Sequence, residues 1–286
     1  MATAATDAPL RGFFASRDGL QLYHEIWPAH GAAKATVLFV HGYGDHCARY
    51  PYASAHFTSR GFDWITFDYR GHGQAAGTRG HCHHFEEYLG DFDAALALAE
   101  RRAGGRPLFV VATSHGALVA MRYLTDGAYK PPAIRGLALC SPFFAVGMKV
   151  PAVKVAAGKV VSRLIPRLAM SNQIKSEDLS RDPAVVEAHR QDRWTHGVAT
   201  ARWFTEANAA QAYCLAHAAR LQLPVLMLVA GEDRLVNPSR SREVFEAMTH
   251  ADKQFVLYPD YFHEVLNDTG REAVFGDLEK WLASRL

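Results

Sequence analysis

Ser114, Asp233 and His263 stand in that order along a chain of 286 residues, and together these three residue types can perform nucleophilic hydrolysis. A serine hydroxyl is a weak nucleophile until a base takes its proton, so a reactive serine requires a histidine and a carboxylate to orient it. Ser114 lies in Ala112-Thr-Ser-His-Gly116, a small-x-Ser-x-Gly turn between the apolar run 108–112 and a helical pattern over 116–124. Small residues two before and two after the serine let a strand and a helix approach closely around a strained turn. The plainer alternative is a serine that caps a helix N-terminus. Asp233 follows the apolar run 225–229, in Ala230-Gly-Glu-Asp-Arg-Leu-Val236. His263 follows the run 255–258, in Pro259-Asp-Tyr-Phe-His-Glu264. With fifteen histidines in the chain, its place after the last strand carries the weight. Glu232 and Asp260 are rival acids, and Asp233 is preferred because it precedes the packing pair Leu235-Val236.

A tetrahedral intermediate also needs N–H donors aimed at its oxyanion. The backbone of His115 and that of Tyr43, in His41-Gly-Tyr-Gly-Asp-His46, are the candidates, with Gly42 and Gly44 permitting the bend. An ordinary glycine turn is the alternative. Asp45 and Arg49, close by in sequence, could bind a substrate hydroxyl or simply support the loop.

The elements that must position these residues alternate. Strands are expected over 12–17 and 20–27 around an Asp18-Gly19 turn, then over 36–40, 62–67, 107–112, 134–140, 224–229 and 254–258. Helical patterns intervene, among them 50–60 and 85–102, the latter through Leu89, Phe92, Leu96 and Ala99, and a final helix starts near Arg271. This alternation predicts an α/β fold with a mostly parallel sheet covered on both faces. No good strand candidate falls within 142–221, where short helical patterns are separated by Pro151, Pro166 and Pro183. A helical cap over the carboxyl ends of the strands is expected there. The organisation is then a flexible tail over 1–10, a core of 11–141 and 222–286, and the cap insertion 142–221.

Charge is close to balanced overall, 31 Lys+Arg against 29 Asp+Glu, which gives no basic excess of the kind nucleic-acid binding uses. The distribution is uneven. Between Asp126 and Glu177 there are eight basic residues and no acidic one, so the remainder is acidic. The four cysteines are far apart without a C-x-x-C pair, no apolar run reaches the ~20 residues of a spanning helix, and residues 1–9 lack a signal-peptide pattern. The expectation is a cytoplasmic protein with reduced thiols.

Taken together, several segments resemble the serine α/β-hydrolase family, in particular its monoacylglycerol lipase and lysophospholipase-like branch. They are His41-Gly-Tyr-Gly-Asp-His with Arg49-Tyr50, Phe67-Asp-Tyr-Arg-Gly-His-Gly73, the Ser114 turn, Leu179-Ser-Arg-Asp-Pro183, the Asp233 segment and Leu257-Tyr-Pro-Asp-Tyr-Phe-His-Glu-Val-Leu-Asn267. The resemblance implies an eight-stranded hydrolase sheet, the triad above, no cofactor, and ester substrates bearing an acyl chain. It departs from the family pattern at Ala112, Thr113, His115, Ala117 and Gln74. The leading expectation is hydrolysis of monoacylglycerols or similar single-chain lipid esters. The alternatives are a lysophospholipase, thioesterase or short-chain esterase, or a non-catalytic binding protein on the same fold; the oligomeric state stays open.

Two features weigh less. His81-Cys-His-His84 suggests a metal, but without a recognised ligand spacing it reads as loop packing, and no metal site is expected. Ala157, Val160, Val161, Leu164 and Leu168 keep helical spacing while Lys159, Arg163 and Arg167 recur every four residues. Such a helix is either a plain cap helix or one that, with Val146, Met148 and Val153, lines an acyl channel or meets anionic lipid. Met148, Val153 and Leu164 are therefore candidate substrate contacts.

Overall fold

The structure, a computed structural model, describes residues 8–147 and 152–286, and the side chains of 152–156 lie outside the description. Two strands, β1 (Leu10–Ala15) and β2 (Gln21–Trp27), pair antiparallel around the Asp18-Gly19 turn. Alternating elements follow: β3 (Ala35–Val40), α1 (Pro51–Thr58), β4 (Phe62–Asp68), α2 (Glu86–Ala103), β5 (Leu108–Thr113), α3 (Ser114–Leu124) and β6 (Ile134–Cys140). After β6 come α4 (Ala152–Leu164), β7 (Ala169–Ser171), α5 (Pro183–Gln191), β8 (Val198–Thr200) and α6 (Ala201–His217). The chain then resumes with β9 (Val225–Ala230), α7 (Pro238–Ala247), β10 (Lys253–Tyr258) and α8 (Arg271–Ala283).

The described residues form an eight-stranded sheet in the order β1-β2-β4-β3-β5-β6-β9-β10. Only the β1–β2 and β2–β4 pairings are antiparallel. Every residue of β3, β5 and β9 is buried, which is why these strands read as unbroken apolar runs rather than alternating ones. One face packs against α2, α3 and α6 through Phe92, Leu96, Leu118 and Cys214. The other packs against α1 and α8 through Phe57, Trp64, Phe275 and Trp281. Leu89, Phe92, Leu96 and Ala99 are all buried, as the helical spacing of α2 requires. Each large apolar side chain so buried contributes about 1.5–3 kcal/mol.

Between β6 and β9 the structure differs from the sequence reading in one respect. Two three-residue strands occur where none was expected, with Ala169 paired to Thr200 and Ser171 to Val198. They are too short to establish a period of two. Strands β6 and β9 are themselves hydrogen-bonded neighbours, so the intervening segment leaves and rejoins the sheet at adjacent positions. Helix α7 also lacked an apolar stripe to announce it. Its start is set by Asn237, whose side chain accepts from the Ser239 N–H at 2.9 Å, with Pro238 in the first turn. Among the described residues no helix is long and apolar enough to cross a membrane.

Candidate active site

Ser114 is the first residue of α3 and has φ of 51°, the left-handed region that a non-glycine residue occupies only under strain. It does not act as a helix cap, because the cap position is Thr113, whose side chain makes no capping bond. The need for a small residue at Gly116 is steric. A Cβ there would stand 2.4 Å from the His41 carbonyl oxygen and 2.6 Å from that of Val40, both backbone atoms of the β3 end. This close approach brings α3 down onto β3 and leaves Ser114 half-exposed at the carboxyl end of the sheet.

The loop after β9 carries Asp233, the expected acid. One oxygen of Asp233 accepts from the N–H groups of Leu235 and Val236, both at 2.9 Å, and the other lies 2.7 Å from His263 Nδ1. Its side chain is fully buried, whereas Glu232 and Asp260 are exposed. Burial of His263 disfavours its charged form, but the Asp233 carboxylate outweighs that effect and the pKa is raised. With Nδ1–H committed to Asp233, Nε2 is left to exchange a proton.

Ser114 and His263 border one cavity of about 670 Å³, together with Gly42, Tyr43 and residues of the segment between β6 and β9. The turn at Gly42 abuts the serine, since a Cβ on Gly42 would lie 3.3 Å from Ser114 Cβ. Among the described residues, no protein acceptor takes the backbone N–H of Tyr43 or His115. The geometry therefore brings a hydroxyl, a histidine held by a carboxylate and the Gly42–Tyr43 turn to one space, with His115 next to the serine in the chain.

The cavity is polar at one end. Arg49 donates to both oxygens of Glu264, at 2.7 and 3.0 Å, and to Asp45 at 2.9 Å. Tyr50 donates to the second Asp45 oxygen at 2.7 Å. Burial opposes the charge on Asp45, yet Arg49 and the neighbouring histidines hold its carboxyl well below the usual carboxylate range. Asp45 and Arg49 thus support the loop and also border the cavity. Much of the remaining wall is apolar, with Phe143, Val146, Val161, Leu168, Phe204 and Leu235, interrupted by Ser171, Asn172, Gln173 and Arg234.

Of the expected substrate contacts on α4, Leu164 is corrected: it is 76% exposed and points away from the cavity. Leu164 lies four residues after Val160, and the two share the exposed stripe of α4. Ala157, Val161 and Leu168 face the cavity, while Val160 and Leu164 face outward. Met148 lies outside the described residues, as does the side chain of Val153. Sequence reasoning missed Trp203, His189, Asn172 and Glu264 as cavity residues. Glu264 had a usable signal, a carboxylate beside His263 with the complementary Arg49 upstream; the others lie in irregular or mixed segments.

Nearby loops behave as packing elements. Asp68 accepts from the N–H groups of Cys47 and Gln74, each at 2.7 Å, and Arg70 pairs with buried Asp91 at 2.7 Å. His81 Nδ1 lies 3.1 Å from the Thr200 hydroxyl. His84 does come together with Glu86 and Glu206, their ligand atoms within 4.8 Å, a grouping invisible to local spacing because Glu206 is distant in sequence. Arg122 and Arg202 already lie against those two carboxylates, at 3.3 and 3.6 Å.

Sheet order, strained serine turn and the acid and histidine on successive late loops define an α/β-hydrolase. A family model described as serine aminopeptidase, S33, matches residues 31–270, and the chain belongs to that serine hydrolase family, on the branch that holds monoacylglycerol lipases. It is similar to a monoacylglycerol lipase of Mycolicibacterium smegmatis, with 28% identity over 279 residues and 96% of each chain covered. It is also similar to phospholipase YtpA of Bacillus subtilis, at 27% identity over 84% of this chain and 92% of that one. The crystal structure of the monoacylglycerol lipase of Paleococcus ferrophilus superposes with a TM-score of 0.80, at 28% identity, covering 97% of this chain and 99% of the other.

Proposed function

We propose that this ester hydrolase cleaves monoacylglycerols or similar single-chain lipid esters through an acyl-enzyme. Ser114 attacks the ester carbonyl as His263 Nε2 takes its proton, and the Tyr43 and His115 N–H groups receive the oxyanion. The alcohol departs with the proton from His263, and water activated by the same imidazole releases the fatty acid. Asp233 keeps the ring in the Nδ1–H tautomer and stabilises its charged form. The segment 142–221 serves as the cap that encloses the acyl chain.

The observation that carries this reading is the pairing of the serine and histidine with a large apolar cavity. It also weighs against peptide substrates bearing a free amino terminus. The carboxylates bordering the cavity, Asp45 and Glu264, are both bound to Arg49, which leaves neither free for an ammonium group. Their paired polar end suits the hydroxyls of a glycerol headgroup instead. A fluorophosphonate probe should label the wild type and not Ser114→Ala. Turnover should rise from acetyl to long-chain nitrophenyl esters and extend to a monoacylglycerol; a preference for acetate would reject the lipid reading. Greater turnover on a lysophospholipid than on a monoacylglycerol would favour the phospholipase alternative.

A contact with anionic lipid surfaces is supported by the outward side of α4 and the turn after it. Val160, Leu164 and Ile165 are exposed apolar residues, and Lys159, Arg163 and Arg167 are exposed beside them. Flotation with vesicles containing phosphatidylglycerol should capture the wild type and lose the Lys159→Glu, Arg163→Glu, Arg167→Glu variant. Equal flotation of the two would refute the contact.

A further inference from the structure

The two expected oxyanion donors have side chains that meet behind the cavity wall. The Tyr43 ring stacks on Trp203 of α6, centroids 3.7 Å apart and planes inclined by 26°. Trp203 Nε1–H donates to His115 Nε2 at 3.4 Å, and His115 Nδ1 lies 3.2 Å from the Tyr69 hydroxyl. Tyr69 in turn donates to the Gly42 carbonyl at 2.5 Å. That carbonyl belongs to the same peptide unit as the Tyr43 N–H.

Proton counting fixes the direction of every bond. A phenol has one proton, and Tyr69 gives it to Gly42, a carbonyl that can only accept. His115 Nδ1 must therefore carry a proton and donate to Tyr69, which leaves Nε2 as the lone pair that receives the indole N–H. The imidazole is then neutral, in keeping with its complete burial, which pushes its pKa down to about 3. His41 Nδ1 adds a second bond to the Gly42 oxygen, at 2.8 Å.

We propose that Trp203, His115 and Tyr69 form a one-way hydrogen-bond chain that polarises and aligns the Gly42–Tyr43 peptide as an oxyanion donor. The inference rests on the serine-hydrolase reading above. Each bond in such a chain strengthens the next, and a peptide whose oxygen accepts strong bonds presents a more acidic N–H at its other end. The three are positioning residues: they act through a peptide, and the gain appears only as negative charge develops on the substrate oxygen.

The test is a double-mutant cycle on kcat with a long-chain nitrophenyl ester. Tyr69 does not border the cavity, so Tyr69→Phe should lower kcat about tenfold with KM within about twofold of wild type. Trp203→Phe keeps an aromatic ring against Tyr43 but removes the donor, and should lower kcat about threefold. The double variant should be no slower than Tyr69→Phe alone, because the chain is already cut at its last link. His115→Gln, which retains a donor and an acceptor, should keep most of the rate, whereas His115→Leu, in which Tyr69 still donates to Gly42, should fall between Trp203→Phe and Tyr69→Phe. Losses that multiply in the double variant, or a Tyr69→Phe defect confined to KM, would overturn the chain. Should Tyr69→Phe lose its cooperative thermal transition, the same cycle is run with His115→Leu and Trp203→Phe. A wild type that labels at Ser114 and turns over ester, with Tyr69→Phe equal to it, defeats the chain alone; a wild type that does neither defeats the hydrolase reading as well.

Discussion

Arg49 grips Glu264 through two hydrogen bonds, at 2.7 and 3.0 Å, and so ties the segment after the Gly42 turn to the residue that follows His263. The three side chains of the Asp45–Arg49–Glu264 cluster are between 5% and 7% exposed. Arg49 bridges two buried carboxylates, and removing it takes the shared cation from both. Arg49→Leu is expected to destabilise the fold by about 3 kcal/mol, read as a lowered urea midpoint. An unchanged midpoint would mean that the carboxylates are hydrated in solution.

The raised pKa of His263 fixes the sense of the pH profile. In the proposed mechanism His263 must be neutral to accept a proton, so kcat/KM should climb on the acid side through an apparent pKa above the ordinary histidine value of about 6.5. In Asp233→Asn the partner that raises the pKa is gone and burial remains. The acid limb should move to lower pH while the plateau falls by about 10⁴, the cost of losing the correct tautomer. A limb that stays in place would show that Asp233 does not set the charge of His263.

A second histidine joins the inserted segment to the core. His46 Nε2 lies 2.7 Å from Asp192, in the loop after α5. Burial lowers the His46 pKa, but the Asp192 hydrogen bond and nearby carboxylates outweigh it and the pKa is raised, while that of Asp192 is lowered despite burial. A raised histidine pKa stabilises the fold fully below the unfolded value and loses that contribution as pH climbs through the folded one. The depressed carboxylate sets the acid limit in the opposite sense. Asp192→Asn should therefore cost about 1 kcal/mol near pH 6 and distinctly less near pH 9, measured by thermal unfolding at both. An equal cost at both pH values would show the bond to be uncharged.

Gly116→Ala tests the serine turn sterically. The added carbon would meet two backbone oxygens at 2.4 and 2.6 Å, and neither belongs to a side chain that can rotate away. Ester turnover should fall by at least about 100-fold, with a lowered melting temperature, because α3 must lift from β3 and carry Ser114 with it. A variant of wild-type activity would show that this helix has slack.

The parts of this arrangement that were legible in the sequence are those governed by local demands. The buried strands β3, β5 and β9 announce themselves through apolar runs, and the turn at Ser114 through the steric limit on Gly116. What could not be read depends on contacts between distant segments. Leu164 shares the helical spacing of Val161 but not its direction, which only the packing of α4 over the cavity decides. His115 stands beside Ser114 as a departure from the family pattern. Its partners, Tyr69 and Trp203, lie 46 and 88 residues away, so these contacts have no local signature.

Because the inserted segment departs from β6 and returns to the adjacent β9, it could be exchanged for another of different length without disturbing strand pairing. Such a graft would be expected to redirect only substrate choice. Yet Trp203, which travels with the insert, stacks on Tyr43 and bonds His115. On the proposed hydrogen-bond chain, a chimaera that lacks an equivalent indole would inherit a new appetite together with a slower chemical step, and screens that score the two jointly would discard inserts whose specificity was sound.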